Sequence, residues 1–347
     1  MKTLFDDTRL NNIKLKNRII RSATWEGMAD SRGHLTDRLL HVYKSLANGG
    51  VGLIITGATF VSADFLNSSA CASGYMSIHD DSFIQDYRRL TDTVHKASCP
   101  IILQLAYVGK GGEKQPPSSF SIKDIQQIVQ EFGQSAFRAK RAGFDGVQIH
   151  AAHGFFLSQF IHPTKNTRQD EYGGSLGNRT RILLEIYDKI RSLTGNDFSI
   201  LLKIDGTDLA ATNTLLTSSH YACLQLAQRG LNAIEVSGET GVVIPSTSQS
   251  YPESVFRDYA AKIAEKVQIP IILVGLNRTP TVMETLLNTS NITYFSLSRP
   301  LIRESDLVNQ WLENPTKAPA CISCNQCFHS NGNTCIFVSP QNNEATG

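Results

Sequence analysis

Eight short apolar runs, each followed by a stretch of helical spacing, constrain this chain more than any other feature of its sequence. The runs are Arg18–Ala23, Val51–Gly57, Ile101–Ala106, Gly146–His150, Ile200–Asp205, Ala233–Ser237, Pro270–Gly275 and Ile292–Ser298. They are apolar throughout rather than alternating, which is how strands buried on both faces read. The intervening helices are expected at Thr36–Ala47, Phe83–Ala97, Ile122–Arg141, Arg179–Leu193, Ser219–Gln228, Ser254–Lys266, Pro280–Leu287 and Leu307–Trp311. Glycines stop several of them just before the next strand, at Gly49-Gly50, Gly143 and Gly230, and Ser121 with Asp124 reads as an N-cap with its acidic partner.

Parallel strands need such crossovers, and eight of them fit a closed α/β barrel of the (β/α)8 TIM type better than an open doubly wound sheet. No G-x-G-x-x-G follows the first strand, which argues against a dinucleotide-binding Rossmann domain. The expected organisation is a barrel over residues 1–314 and a short Cys-rich C-terminal tail over 315–347. A chain of 347 residues can bury a large core without disulfides. Its 33 basic and 31 acidic residues nearly balance, so no global charge draws it to nucleic acid or a membrane surface. The N-terminus has no run of signal-peptide length and no segment is long enough to span a bilayer, so the expected location is cytoplasmic.

In a barrel of this kind the strand C-termini build the active site. The fourth run ends in His150 and continues to His153. Two imidazoles there can donate to a carbonyl oxygen and stabilise charge developing on it, the alternative being a pair of packing histidines. Gln104, near the end of the third run, carries an amide able to donate and accept toward a flat heterocycle, or is a satisfied core glutamine. Lys203 in the fifth run can neutralise an anionic ring or serve as a Schiff-base amine. Gly275, Ser298 and Arg299 end the seventh and eighth runs, where such barrels bind phosphate.

The stretches Ala142-Gly-Phe-Asp-Gly-Val-Gln-Ile-His-Ala-Ala-His-Gly154 and Asn166-Thr-Arg-Gln-Asp-Glu-Tyr-Gly-Gly-Ser175, continuing through Asn178-Arg179, resemble the signatures of the old yellow enzyme family of FMN-dependent NAD(P)H oxidoreductases. The resemblance runs from Leu4 to about Leu312. It implies FMN lined by Ala23, Thr24, Gly57 and Gln104, with Lys203 by the pyrimidine side, where many relatives have arginine. It places the phosphate on Gly275, Ser298 and Arg299, makes NAD(P)H the electron donor, and sets His150 and His153 on the electron-withdrawing group of a small-molecule acceptor such as an enone, quinone or nitro compound. Arg168, Asp170, Tyr172 and Arg179 read as a salt-bridged loop shaping the mouth.

Two features depart from that pattern. The family carries tyrosine two residues after the second histidine, as proton donor to the substrate carbon; here the position is Phe155, which has no transferable proton. Tyr107, just after the third run, is the candidate replacement, with water as the other. Trp25 and Glu26, ending the first run, face either the mouth or the rim. The second departure is the tail. Cys321, Cys324, Cys327 and Cys335 have a spacing suited to a [4Fe–4S] cluster or to zinc, the alternative being four reduced thiols left by descent from a longer enzyme. The segment resembles the cluster-binding region of dienoyl-CoA reductases, with one residue fewer in the third interval, and implies a redox partner protein as an electron source. Two competing readings are an electron-transfer subunit without its own small substrate, and a barrel aldolase built on Lys203. A homo-oligomer is compatible with either.

Overall fold

In the computed structural model of the chain, the residues described are 1–67, 73–107, 109–110, 115–207, 214–238, 253–329 and 332–338. Cys71 and the tail from residue 339 onward lie outside them. The strands are β1 (Thr8–Leu10), β2 (Ile13–Leu15), β3 (Ile19–Arg21), β4 (Leu53–Ile55), β5 (Thr59–Phe60), β6 (Met76–Ser77), β7 (Ile101–Ala106), β8 (Gly146–Ala151), β9 (Ser199–Asp205), β10 (Ala233–Ser237), β11 (Ile271–Leu273) and β12 (Ile292–Leu297). The helices are α1 (Asp37–Asn48), α2 (Phe83–His95), α3 (Ile122–Arg141), α4 (Phe156–Ile161), α5 (Leu176–Thr194), α6 (Thr214–Gln228), α7 (Arg257–Ala264), α8 (Pro280–Thr289), α9 (Arg299–Arg303) and α10 (Leu307–Glu313).

Strands β3, β4 and β7 to β12 pair in parallel, and the pairings of β4 with β7 and of β12 with β3 close the ring. This is the eight-stranded barrel the sequence implies. β5 and β6 extend the sheet beyond β7 at the mouth. Local side-chain caps set some of the helix starts. Thr36 accepts from the Leu39 amide at the head of α1, and Ser121 with Asp124 forms a reciprocal capping box at the head of α3. Gly143, two residues past α3, has φ +90°, a left-handed conformation that glycine adopts without steric cost. No helix among the described residues is long and apolar enough to cross a membrane.

The antiparallel hairpin β1–β2 has no counterpart in the sequence reading, because its two three-residue strands are too short to show a period. It closes the N-terminal end of the barrel. Leu10, Ile13 and Leu15 pack with Ile20, Leu53, Ile55, Ile102, Leu201, Ala233, Ile272 and Tyr294 in one buried interior cluster. The Tyr294 hydroxyl donates to the Arg9 carbonyl at 2.8 Å and fixes the hairpin in place. Each large aliphatic side chain so buried contributes about 1.5–3 kcal/mol.

Side chains two residues apart on a strand share a face, so the interior is layered. One step toward the mouth from the apolar layer stand Ser22, Gln104, Gln148, Lys203, Glu235 and Ser296, all buried. One further step brings Thr24, His150, Asp205, Ser237 and Ser298 to the C-terminal rim. The plug below and the polar layers above put the chemistry at the end where barrels of this type carry it.

Candidate functional site at the barrel mouth

The polar layer is a connected network centred on Glu235, a residue the sequence reading passed over. Ser22 Oγ and Ser296 Oγ both donate to its Oε1, at 2.6 and 2.7 Å. Gln148 Nε2 donates to its Oε2 at 2.9 Å, and Gln104 Nε2 donates to Gln148 Oε1 at 2.7 Å. The Lys203 ammonium sits 3.4 Å from Glu235 Oε2 and donates to Ser22 Oγ at 3.0 Å. Strand register makes these contacts possible: Gln104 stands opposite Gln148, and Lys203 opposite both His150 and Glu235. Burial alone would raise the Glu235 carboxyl. The Lys203 charge and the three hydrogen-bond donors together outweigh it and hold the group below the usual carboxylate range, ionised. Lys203 is thus half of a buried ion pair, a poor setting for a Schiff-base amine, which must be neutral to attack.

The histidines stand one layer higher. Their ring centroids are 5.3 Å apart at an interplanar angle of 72°. His150 is buried at the end of β8. His153 follows a turn and has φ +64°, which for a non-glycine residue costs on the order of 1–3 kcal/mol. Asp205, at the end of β9, offsets that cost by accepting from the His153 amide at 2.6 Å, while Ser237 Oγ lies 2.8 Å from His153 Nε2. Ser219 Oγ in turn donates to the Asp205 carbonyl at 2.6 Å. Asp205 and Ser237 therefore aim the second histidine. The sequence signal for them was a polar side chain closing an apolar run.

Phe155 lies with its ring centroid 5.0 Å from that of His150 at an interplanar angle of 52°, so the position that carries a proton donor in the resembled family here presents a bare aromatic ring to His150. Tyr107 is buried in an aromatic cluster, 4.8 Å from Phe156 and 6.3 Å from Phe120, and its hydroxyl donates to Asp64 Oδ2 at 3.3 Å. Burial first, then the Asp64 carboxylate, pushes its phenol far above the ordinary range. Its proton is held and directed at Asp64.

At the ends of β11 and β12 a pocket of about 90 Å³ is lined by Gly275, Arg278, Ser298, Arg299 and Ser323, among others. Gly275 has φ +110°, open only to glycine at this turn, where a Cβ would also fall 2.5 Å from the Phe256 ring. Asn277 ties the two strand ends together by donating to the carbonyls of Leu273 and Ser296 at 2.7 and 3.0 Å. Thr24 Oγ1 is 2.8 Å from Ser298 Oγ, and half-buried Ala23 packs on the apolar interior cluster. At Gly57 a Cβ would meet the Thr24 carbonyl at 2.5 Å, so the ends of β3 and β4 approach through a gap only glycine leaves. Two guanidinium groups around a small pocket suit a phosphate dianion, and the amide–lysine layer suits the edge of a ring bearing adjacent carbonyl and imide groups. The residues present fit FMN.

The second motif is a structural clamp. Arg168 donates to the carbonyls of Pro117 and Phe120, at 2.6 and 2.5 Å, and grips Asp170 through Nε and Nη2 at 3.0 and 2.5 Å. Asn166 Nδ2 bridges the Phe160 and Tyr172 carbonyls, Tyr172 donates to Glu185, and Arg179 donates to the Gly174 carbonyl. Glu26 turns inward to pair with the buried Arg21 at 2.6 Å. Trp25 stacks between Tyr75 and Phe328 on the rim.

Cys321 and Cys327 are buried, and Cys324 and Cys335 are half-buried. Burial and the nearness of the other three thiols raise the Cys327 thiol, so the four share one neighbourhood. Among the described residues no three His, Cys, Asp or Glu side chains converge closely enough to hold a metal ion.

Residues 3–316 match the model of the NADH:flavin oxidoreductase / NADH oxidase family. The chain is 32% identical over 349 residues to a metal reductase of Desulforamulus reducens, covering 94% of this chain and 51% of that protein. It is 28% identical over 321 residues to an NADPH dehydrogenase of Clostridium acetobutylicum, covering 86% of this chain and 91% of the relative. Its fold superposes on an old yellow enzyme homologue of Zymomonas mobilis with a TM-score of 0.76 at 22% identity, over 93% of this chain and 96% of the other. The chain thus spans about half the length of the metal reductase and nearly all of the NADPH dehydrogenase.

Proposed function

The chain belongs to the NADH:flavin oxidoreductase / NADH oxidase family, and from that premise we propose that it binds FMN at the barrel mouth and uses NAD(P)H to reduce a small acceptor. The observation that carries this reading is the buried layer joining Gln104 and Lys203 through Gln148 and Glu235, directly beneath the histidine pair. Bound FMN would supply two-electron chemistry, taking a hydride from the nicotinamide and passing it on. Ala23, Thr24, Gly57 and Gln104 would line the ring, Lys203 would neutralise charge gathering on its pyrimidine side, and Gly275, Ser298 and Arg299 would hold the phosphate.

His150 and His153 donate to the acceptor's oxygen and withdraw electron density from the atom that receives hydride. The turn fixed by Asp205 and Ser237 keeps one of those donors in place before substrate arrives. Phe155 leaves the mouth without a phenol beside His150, so quinones and nitro compounds, which need no proton on carbon, suit it better than enones. Where an enone is reduced, water delivers the proton, or Tyr107 does so once its hydroxyl leaves Asp64.

The barrel occupies residues 1–314 and the Cys-rich tail 315–347. The tail's four thiols have the donor chemistry of an iron–sulfur cluster or of zinc, but as placed they do not converge on one ion, so Cys321, Cys324, Cys327 and Cys335 would serve as its ligands only after the tail draws them together. A second reading, an electron-transfer subunit fed by a protein partner, is favoured by the tail and by relatives of twice this length.

Turnover assays with FMN-loaded protein test the primary reading. NADPH or NADH consumption is expected with a quinone, and more slowly with a cyclic enone. FMN-bound protein that consumes neither nucleotide with any acceptor sinks it and favours the subunit reading.

A further inference from the structure

The phosphate pocket has a wall that does not belong to the barrel. Ser323, on the cysteine-bearing tail, lines it together with the ends of β11 and β12. Both guanidinium groups of the pocket are held by the same loop. Arg278 donates through Nη2 to the Cys321 carbonyl and through Nη1 to Ser323 Oγ at 3.5 Å. Arg299 donates through Nη1 to Asn325 Oδ1. The loop is itself anchored on either side. The Ala320 amide donates to Glu304 Oε2 at 2.6 Å, the Thr334 amide to the Cys327 carbonyl at 3.2 Å, and the Asn333 amide to the Glu26 carbonyl at 2.7 Å.

We propose that the 321–327 loop is the outer wall of the cofactor's phosphate site, with Arg278 and Asn325 as cofactor-retaining residues. This rests on the FMN reading above. A guanidinium carries five N–H groups in a fixed fork. The tail engages two donors of Arg278 and one of Arg299, which fixes the fork and leaves other donors for phosphate oxygens. Asn325 does not line the pocket; it positions Arg299. Because coupling between two bound elements is reciprocal, a phosphate in the pocket must also steady the loop that carries three of the four tail cysteines. The tail and the flavin site are then one binding unit, although the sequence reads as a barrel with a loose appendix.

The experiment compares FMN with riboflavin, which lacks the phosphate. Flavin-stripped full-length protein is titrated with each and flavin fluorescence is followed, for the wild type, Arg278→Gln and Asn325→Ala, with thermal melts to show that each variant is folded. The expected result is an FMN Kd raised about 10-fold or more in both variants, the size of one hydrogen bond to a charged group, with the riboflavin Kd unchanged. FMN, and not riboflavin, is also expected to slow amide hydrogen exchange in 321–327. FMN binding within twofold of wild type in both variants, or FMN and riboflavin weakened alike, overturns the proposal while the FMN reading stands. A wild type that binds neither flavin overturns both.

Discussion

Replacing Glu235 by glutamine isolates the charge at the heart of the barrel. The glutamine side chain is nearly isosteric, and its hydrogen bonds can be rebuilt. The hydroxyls of Ser22 and Ser296, which donate to Oε1 at 2.6 and 2.7 Å, can rotate to accept from an amide nitrogen there, while the amide oxygen still accepts from Gln148. What cannot be rebuilt is the counter-charge of Lys203, 3.4 Å away and equally buried. Removing one partner of a buried ion pair costs about 3–5 kcal/mol, whereas replacing both by apolar groups is often neutral. Glu235→Gln is therefore expected to lose about 3–5 kcal/mol in urea unfolding at neutral pH, and the double variant with Lys203→Met to recover most of that. The pH dependence has a definite sign. The Glu235 carboxyl is held below its usual value, so the stability it contributes is present above the unfolded-state value of about 4.5 and is lost as pH falls through the lower folded-state value. The gap between wild type and variant should narrow only in acid. A loss under about 1 kcal/mol at neutral pH would refute the view that this pair is a tightly coupled unit.

Three further outcomes follow from the mouth and its clamp. Phe155→Tyr puts a phenol beside His150, and the ratio of enone to quinone turnover should rise by roughly 10²-fold, the lower end for general acid catalysis; an unchanged ratio would show that proton delivery does not limit enone reduction. Tyr107→Phe should cost about 0.5–1.5 kcal/mol for its bond to Asp64 and slow enone but not quinone turnover; equal loss with both acceptors would remove Tyr107 from proton delivery. Arg168→Lys loses the fork that grips Asp170 while reaching two carbonyls, and should cost about 2–4 kcal/mol with faster proteolysis in the 166–175 loop; a wild-type melt would show that the clamp carries no stability.

The barrel strands were legible because burial on both faces writes a continuous apolar run, and some helix boundaries because capping chemistry is local, although α5 and α6 begin at Leu176 and Thr214, ahead of the expected Arg179 and Ser219. The Ser121–Asp124 box does in the structure what its position promised. The hairpin Thr8–Leu15 was not legible: three residues per strand fall below any period, and its role depends on where the barrel puts its open end. In the site, His150, His153, Gln104 and Lys203 stood out as polar residues at strand ends. Glu235 and Asp205 carried the same signal, yet their function depends on partners 32 and 52 residues away in sequence, Lys203 and His153, which only strand register brings together. Arg278 was hidden for a similar reason. Its partners are Cys321 and Ser323, and no local pattern says that the tail folds back over the ends of β11 and β12.

The most direct test of the account is the visible spectrum of FMN-loaded protein under anaerobic conditions, before and after NADH and then NADPH. The expected result is a flavin band that bleaches with at least one nucleotide and returns on addition of a quinone. Protein that stays colourless and takes up no added FMN would contradict the reading of the mouth as a flavin site.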